Sequence, residues 1–294
     1  MTSLTSNISK FDFSTNQLRV KNHVKGVAWI GRHFSISRFE SKENTKTRLY
    51  TTVLCFTEEN INFRNSIIDF YDAKVNNLDE PKILVPQEFS NVIPLIIKKY
   101  NGQNTLSSFI FDSKNQNFNI IGPFGTGLEI KESSNGTFVI FAGGTGVLPF
   151  VDLFDYLLKK SIYMILAKKY KQSEADKTNP FLENYQGTFG ENFKVRLFWA
   201  VNDEYEFNYL SFLKKLFEIN EKYGLNIFDL TVRIKSKIEG VKTTQEFFDE
   251  GFLKRNLDVN EIARIFVCGN PNMNYSIPEG CKKIGIRKEL IQMI

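Results

Sequence analysis

One segment of the sequence joins its most strand-like run to a cluster of glycines. Residues 138–150 read FVIFAGGTGVLPF, in which apolar residues precede Gly143, Gly144 and Gly146, and Pro149 follows them. A continuous apolar run of this length is typical of a strand covered on both faces of a parallel sheet. Proline suits the first turn of a helix, where its missing amide costs no hydrogen bond. The segment therefore predicts a strand, a glycine loop and a helix, in that order.

The glycine loop has two interpretations. Ligands of parallel α/β sheets lie beyond the carboxyl ends of the strands, and bare main-chain amides there can bind a phosphate. Gly143, Gly144 and Gly146 would let a pyrophosphate approach the main chain, and Thr145 would add a hydroxyl. We expect a methyl group at Gly144 or Gly146 to block this approach without disturbing the fold. The alternative is a plain turn, because Pro149 stands where the GxGxxG pattern requires its third glycine.

Composition indicates a two-domain globular protein and excludes several function classes. The chain has 294 residues, 42% of them hydrophobic, and its net charge of +5 comes from 38 basic and 33 acidic residues scattered along it. Without an arginine-rich helix or a known recognition motif, this charge predicts no nucleic-acid partner. The odd cysteine number, Cys55, Cys268 and Cys281, argues against a disulfide framework, and two histidines without a metal-binding motif predict no metal site.

Localisation is predicted from two further features. The opening MTSLTSNISKFDF lacks the basic start and apolar core of a secretory signal. No apolar run reaches the roughly eighteen residues that a membrane-spanning helix needs. We therefore expect a cytoplasmic protein, and peripheral association with a membrane surface stays open.

The sequence pattern changes near residue 132, which divides the chain into predicted domains 1–132 and 133–294. Short apolar or alternating runs predict strands in the first domain, and NTLSSFIFDS (104–113) predicts a short helix. The predicted strands are VAWIGRHFSIS (27–37), RLYTTVLCF (48–56), SIIDFYDA (66–73), KILVP (82–86), NVIPLIIKKY (91–100) and FNIIGPFG (118–125). The pattern favours an antiparallel β-barrel or sandwich.

In the second domain, predicted strands and helices alternate, which favours a parallel sheet covered by helices. After the strand GTFVIFAGG, apolar spacing predicts a helix in which Leu153, Leu157 and Leu158 share one side. The later predicted elements are the strand FKVRLFWAV (193–201), the helix FNYLSFLKKLFEINEKYG (207–224), the strand FDLTVRIKS (228–236), the helix TQEFFDEGFLKRNL (244–257) and the strand RIFVCGNP (264–271).

Six short motifs follow one another along the chain: RLYT (48–51), LIIKKY (95–100), TLS (105–107), GPFG (122–125), AGGTGVLP (142–149) and CGNPNM (268–273). In this order and approximate spacing they resemble the ferredoxin reductase superfamily, and most closely NADH-cytochrome b5 reductase. The resemblance spans residues 27–275. The resemblance implies an antiparallel FAD-binding β-barrel, here shortened at its start, followed by an α/β domain that binds NADH or NADPH.

The resemblance also implies roles for residues of the first domain. Arg48 would pair with the FAD pyrophosphate, for which its guanidinium fork has suitable geometry. Tyr50 would lie against the isoalloxazine and Thr51 would reach toward the flavin ring. Thr105 and Ser107 would donate further bonds to the pyrophosphate, although as a pair they also suit a plain helix cap.

Other roles concern the nicotinamide nucleotide. By resemblance, the glycine loop with Thr145 and Pro149 would bind this nucleotide, and Cys268 would lie near its reacting carbon. Gly269 and Met273 follow the same strand and belong to the same sheet edge. Two residues of the LIIKKY motif, Tyr100 and Lys98, would flank the flavin and the nicotinamide nucleotide respectively. Thr51 and Cys268 are thus the candidate catalytic residues.

The choice between NADH and NADPH depends on two groups of charged residues. Asp203 and Glu204 follow the second strand, where a carboxylate can bond the ribose 2′-hydroxyl and repel a 2′-phosphate. This favours NADH. We also expect Arg233, Lys235 and Lys237 to alternate on one strand face, where they could accept the 2′-phosphate of NADPH.

Together these features predict a flavoprotein oxidoreductase. It would transfer a hydride from NADH or NADPH to FAD and pass electrons singly to a haem or iron–sulfur partner, such as a b-type cytochrome or a fused haem domain. The alternative is a catalytically silent relative that serves as an interaction or structural subunit.

Overall fold

The computed structural model describes residues 30–38, 47–84, 95–97, 106–112, 118–131, 133–169, 189, 192–208 and 210–294. These residues form two compact units. The first contains the described residues within Met1–Ile61, Pro86–Glu129 and Leu148–Asp152, and the second contains those within Asn62–Val85, Ile130–Val147 and Leu153–Ile294. The sequence boundary at residue 132 stays a prediction.

The first unit contains an antiparallel three-stranded sheet in the order β2-β1-β3. Its strands are β1 (His33–Arg38), β2 (Arg48–Thr51) and β3 (Phe118–Phe124). Phe34 lies opposite Tyr50, and Ile36 lies opposite Arg48. Because Phe34 and Ile36 are both buried, this face of the sheet is the one that covers the core of the unit.

Helix α1 (Glu58–Val75) corrects one sequence prediction. We predicted a strand over SIIDFYDA, but these residues are helical. Phe63, Ile67 and Tyr71 recur every four residues and are all buried, so the helical period describes the run better than alternation does. Residues 82–84 of the predicted strand KILVP also have no strand structure, and the rest of that run lies outside the described residues.

A short helix completes the described part of the first unit. Helix α2 (Leu106–Asp112) confirms the prediction for NTLSSFIFDS. Its residues Leu106 and Ile110 form a buried cluster with Ile36 and Leu95, and Tyr50 packs against this cluster. Leu95 also forms an isolated bridge with Thr52. Most of the predicted strand NVIPLIIKKY lies outside the described residues.

The second unit has a six-stranded parallel sheet in the order β7-β6-β5-β4-β8-β9, as the alternation predicted. Its strands are β4 (Thr137–Gly143), β5 (Lys194–Ala200), β6 (Phe228–Arg233), β7 (Lys242–Thr244), β8 (Ile262–Cys268) and β9 (Ile291–Met293). Strand β4 is buried from Thr137 to Ala142, which explains its continuous apolar sequence.

Besides α1, most of which belongs to the second unit, five helices accompany this sheet in the described residues. They are α3 (Val151–Lys169), α4 (Glu204–Asn208), α5 (Phe212–Tyr223), α6 (Glu250–Asn256) and α7 (Pro271–Lys283). Helix α5 ends at Gly224, as predicted, because this residue adopts the left-handed conformation with φ of +59°. Helix α6 begins later than predicted, because the Asp249 carboxylate caps it by accepting the Phe252 amide at 2.9 Å. None of the described helices has the length and apolar character needed to cross a lipid bilayer.

A buried ion cluster holds helix α1 on helix α3. The Asp155 carboxylate accepts from Arg64 at 2.9 Å and from Lys159 at 2.5 Å, and all three side chains are less than a tenth exposed. The Arg64 guanidinium also lies 4.6 Å from the centre of the Phe212 ring. Because a buried charge without a partner is costly, these pairings fix the position of α1 within the second unit.

Candidate functional site

The strand order of the second unit creates a switch point between β4 and β8. Strands β5, β6 and β7 follow one another outward on one side of β4. The chain then returns, and β8 pairs with β4 on its other side. In the sheet, Ala142 lies opposite both Trp199 of β5 and Cys268 of β8. Such a reversal of strand order opens a crevice at the carboxyl ends of the strands, where ligands of open α/β sheets bind.

The glycine loop leaves β4 at this edge. Residues Gly144–Phe150 form a 3-10 helix that contains Pro149 and leads directly into α3. Gly144 begins it in the left-handed conformation, with φ of +51°. Its carbonyl accepts a hydrogen bond from the indole nitrogen Nε1 of Trp199, at 3.0 Å. Since the Trp199 side chain is buried, this bond fixes the start of the loop.

Two of the loop glycines have different surroundings. A Cβ at Gly144 would have no atom within 4 Å, so the main chain there is open to a ligand. A Cβ at Gly146 would overlap the carbonyl of Cys268. Our expectation that a methyl group at Gly146 would leave the fold undisturbed is therefore wrong, because Gly146 packs directly against the neighbouring main chain.

The turn after β8 lies beside the loop. A Cβ at Gly143 would approach the Met273 sulfur at 3.0 Å and the Gly269 Cα at 3.3 Å, so these three predicted residues meet. Helix α7 starts at the same turn, where the Asn270 side chain accepts the Met273 amide at 2.9 Å. The amino end of this helix, with its partial positive charge, thus lies at the carboxyl edge of the sheet near the glycine loop.

Cys268 is the last residue of β8 and is half-buried. Burial raises the pKa of its thiol to about 11, because the thiolate loses solvation. At neutral pH the side chain is therefore a neutral thiol and a poor nucleophile. Its position suits packing against a ligand better than covalent chemistry.

Asp203 lies three residues beyond β5 and starts helix α4. Its carboxylate accepts the Glu206 amide at 3.0 Å, and the Glu206 carboxylate accepts the Asn202 amide, also at 3.0 Å. These reciprocal bonds resemble a capping box and hold the loop in one conformation. The Asp203 residue is exposed, so its carboxylate remains accessible at this edge of the sheet.

Arg233 is the last residue of β6 and pairs with Ala200 of β5. Its guanidinium carbon lies 3.9 Å from the centre of the Phe247 ring, which is 69% exposed. Lys235 and Lys237 follow after the strand has ended. The prediction that these three basic residues alternate on one strand face is therefore wrong, because β6 contributes only Arg233.

The predicted flavin residues of the first unit occupy β2 and α2. Arg48 and Tyr50 share one face of β2; Arg48 is exposed and Tyr50 is half-buried. Thr51 is also half-buried and lies opposite His33. Ser107 is buried in the first turn of α2. The other predicted flavin residues, Tyr100 and Thr105, lie outside the described residues, as does Lys98, which was predicted to flank the nicotinamide nucleotide.

Sequence reasoning missed two residues that shape the site. The sequence analysis placed Trp199 in a strand and gave it no role in the site. A buried indole normally needs a hydrogen-bond acceptor, and here that acceptor is the Gly144 carbonyl. Asn270 was noted only as part of the CGNPNM motif, although asparagine followed by proline is a common start of a helix. Among the described residues, no group of three or more histidine, cysteine, aspartate or glutamate side chains could hold a metal ion.

Comparison with known proteins gives the fold. No family model matches the chain, and no curated protein matches it. The CS-b5R domains of human Ncb5or, in an NAD+ form, match at a TM-score of 0.51 and 16% identity over 90% of this chain and 60% of that one. Flavohemoglobin from Malassezia yamatoensis, with bound FAD and heme, matches at 0.51 and 15% identity over 90% of this chain and 51% of that one. The chain has the ferredoxin reductase-type fold.

A third structure supports the same conclusion. The flavohem-like FAD/NAD-binding domain of nitric oxide dioxygenase from Vibrio cholerae matches at a TM-score of 0.50 and 12% identity, over 90% of this chain and 83% of that one. The two-domain architecture that the motifs implied is thereby confirmed. The chain spans only about half to three fifths of the first two structures that it matches.

Proposed function

We propose that the chain is an FAD-dependent oxidoreductase that oxidises NADH. The observation that carries this proposal is the open main chain at Gly144, at the switch point between β4 and β8 of a ferredoxin reductase-type fold. In this proposal residues 1–132 hold FAD and residues 133–294 hold the nicotinamide nucleotide. Bound FAD would accept a hydride and release its electrons one at a time.

The nucleotide site fits a pyrophosphate. Gly144 has no side chain and no close neighbour on its Cβ side, so a phosphate can approach the main chain there. The amino end of α7 adds a partial positive charge at the same edge. Thr145 is exposed and can add a hydroxyl donor. We propose that Gly143 and Gly146 serve this site by allowing the loop and the β8–α7 turn to pack closely.

The flavin site is proposed for the face of β2 that carries Arg48 and Tyr50. The exposed Arg48 guanidinium would bind the FAD pyrophosphate through charge-assisted hydrogen bonds. Tyr50 would place its ring against the isoalloxazine, and Thr51 would donate to the flavin ring. Ser107, in the first turn of α2, would add a donor to the pyrophosphate, together with Thr105.

Cys268 and Met273 would contact the nicotinamide end of the nucleotide. Their positions at the end of β8 and in the first turn of α7 support this assignment. Because the Cys268 thiol is neutral, it would orient the ring by contact and would take no proton or electron itself. Gly269 keeps this turn close to the glycine loop.

We propose NADH as the preferred nucleotide, with Asp203 binding the ribose hydroxyls. The exposed, conformationally fixed carboxylate of Asp203 supports this choice, since it would repel a 2′-phosphate. Arg233 on the adjacent strand is the residue that would favour NADPH instead. Rapid-mixing reduction of the flavin with each nucleotide distinguishes the two, and a tenfold preference for NADPH would reverse the assignment.

The electron acceptor is proposed as a haem or iron–sulfur protein, either a separate b-type cytochrome or a haem domain fused to the same polypeptide. Support comes from the flavohemoglobin whose fold this chain shares, because that structure contains FAD and heme. A proposed alternative role is that of a catalytically silent structural subunit.

Titration of the purified chain with FAD tests the proposal. We expect saturable binding, seen as quenched flavin fluorescence and a yellow protein after gel filtration, and bleaching of the visible flavin absorbance on anaerobic addition of NADH. A colourless protein that ignores added FAD would contradict the proposed activity and favour the silent subunit.

A further inference from the structure

The carboxylate of Asp152 holds the chain segment that directly follows β2. Asp152 lies in the first turn of α3. Its Oδ2 accepts the amide of Leu54 at 3.0 Å and its Oδ1 accepts the amide of Cys55 at 2.8 Å. Residues Leu54–Phe56 form a 3-10 turn, whose first amides have no partner within the turn. Both carboxylate oxygens therefore cap this turn, although Asp152 lies 98 residues beyond Leu54 and 97 residues beyond Cys55.

The opposite side of the turn is held as well. The side-chain amide of Asn60 donates to the Leu54 carbonyl at 2.9 Å and to the Thr57 hydroxyl at 3.0 Å. Val53 and Cys55 are buried, so the turn cannot shift outward without exposing apolar surface. The turn is thus fixed at its amides, at its first carbonyl and by its buried side chains.

This turn lies directly after the end of β2. Only Thr52 and Val53 separate Leu54 from Thr51, the last residue of β2. Thr52 is itself tied to Leu95 by a bridge. Thr52 is held by this bridge and Val53 is buried, so neither can absorb a shift of the turn. Such a shift would therefore displace Thr51 and Tyr50. Hydrogen bonds to an ionised carboxylate are about twice as strong as neutral ones, so Asp152 is the firmest of these restraints.

We propose that Asp152 is a positioning residue for the flavin site, which it serves by fixing Tyr50 and Thr51 through the Leu54–Phe56 turn. This inference rests on the proposed function. Asp152, Leu54 and Cys55 all belong to the first unit. The carboxylate does not contact the flavin in this account; it orients the residues that do.

Asp152→Asn tests the role, because asparagine keeps the size of the side chain but can accept only one of the two amides. Asp249→Asn is the matched control: it also removes a carboxylate that accepts a backbone amide, at the start of α6. Asp152→Glu, which keeps the charge, is the second variant. If Asp152→Asn does not fold, Asp152→Glu is compared with the wild type and with Asp249→Asn in its place. Each protein is measured for FAD affinity, the visible spectrum of bound FAD at saturation, and the rate of flavin reduction by NADH.

We expect Asp152→Asn to bind FAD about tenfold more weakly. At saturating FAD it should show a shifted flavin spectrum and about tenfold slower reduction at saturating NADH, with an unchanged KM for NADH. Asp152→Glu should lie between Asp152→Asn and the wild type, and Asp249→Asn should match the wild type. If Asp152→Asn has the wild-type spectrum and rate once FAD is saturating, the carboxylate only stabilises the fold and the proposal is wrong.

A separate measurement distinguishes failure of this proposal from failure of the proposed function. Hydrogen exchange of the Leu54 and Cys55 amides, measured without FAD, should be faster in Asp152→Asn than in the wild type. If the amides respond but the wild-type chain binds no FAD, the proposed function is wrong and the positioning role falls with it. If the wild type binds FAD but the amides do not respond, only the positioning role is wrong.

Discussion

Gly146 faces the carbonyl of Cys268 so closely that no side chain fits between them. This packing joins the loop after β4 to the turn after β8, the two segments that border the switch point of the sheet. The crevice between these strands is therefore closed at Gly146 and open at Gly144.

Gly146→Ala should destabilise the second unit. The methyl group would collide with main-chain atoms of β8, which cannot move aside as a flexible side chain would. We expect a loss of about 3 kcal/mol in the free energy of unfolding, the upper part of the usual range for overpacking. Urea unfolding followed by tryptophan fluorescence measures this loss, and a variant as stable as the wild type would disprove the packing role.

Gly144→Ala should fold but bind the nucleotide poorly. Its Cβ meets no protein atom, so the cost to stability is only the strain of a positive φ, about 1 to 2 kcal/mol. Gly224→Ala is the matched control, because Gly224 also has a positive φ of +59° and no neighbour within 4 Å, but ends helix α5. We expect both variants to lose similar stability, and only Gly144→Ala to raise the KM for NADH, by about tenfold or more. Equal KM values in the two variants would show that the glycine loop is a plain turn.

The sequence was sufficient to predict the parallel sheet and the glycine loop, because continuous apolar strands and glycine clusters are local patterns. It was misleading for helix α1, where residues 66–73 alone resemble a strand. The helical spacing of Ile67 and Tyr71 becomes visible only when Phe63, which precedes that segment, is included. The sequence also could not show that a side chain has room at Gly144 and has none at Gly146. That difference depends on Cys268, which lies more than a hundred residues away and reaches Gly146 only through the pairing of β4 with β8.

Cys268 should resist alkylation at neutral pH. Burial raises its thiol pKa from 9.0 to about 11, so little thiolate is present below pH 9. As the pH rises, the thiol of Cys268 loses its proton near pH 9 in the unfolded chain and only near pH 11 in the folded chain. The contribution of the neutral thiol to the stability of the folded state is therefore fully present below pH 9. That contribution declines as the pH rises from 9 towards 11. Mass spectrometry after iodoacetamide treatment across this pH range checks the prediction, with Cys268→Ala as the control for labelling of Cys55 and Cys281. Rapid modification of Cys268 at pH 7 would contradict a contact role and indicate a reactive thiolate.

Arg48→Ala should weaken FAD binding by about ten- to a hundredfold, since a hydrogen bond to a charged group contributes about 1.5 to 3 kcal/mol. The arginine is exposed at the start of β2, so the fold should tolerate its removal. Arg48→Lys keeps the charge but loses the two-pronged geometry and should fall between the wild type and Arg48→Ala. Fluorescence titration with FAD measures the three affinities, and equal values would remove Arg48 from the flavin site.

The most direct test of the account is anaerobic rapid mixing of the FAD-loaded wild-type chain with NADH, run beside Gly144→Ala and Gly224→Ala. We expect NADH to bleach the flavin absorbance of the wild type and of Gly224→Ala with the same concentration dependence. Gly144→Ala should need about tenfold more NADH to reach the same rate, while all three proteins accept electrons from dithionite equally. A wild-type flavin that dithionite reduces and NADH leaves oxidised would contradict the claim that NADH binds at the Gly144 edge and reduces FAD.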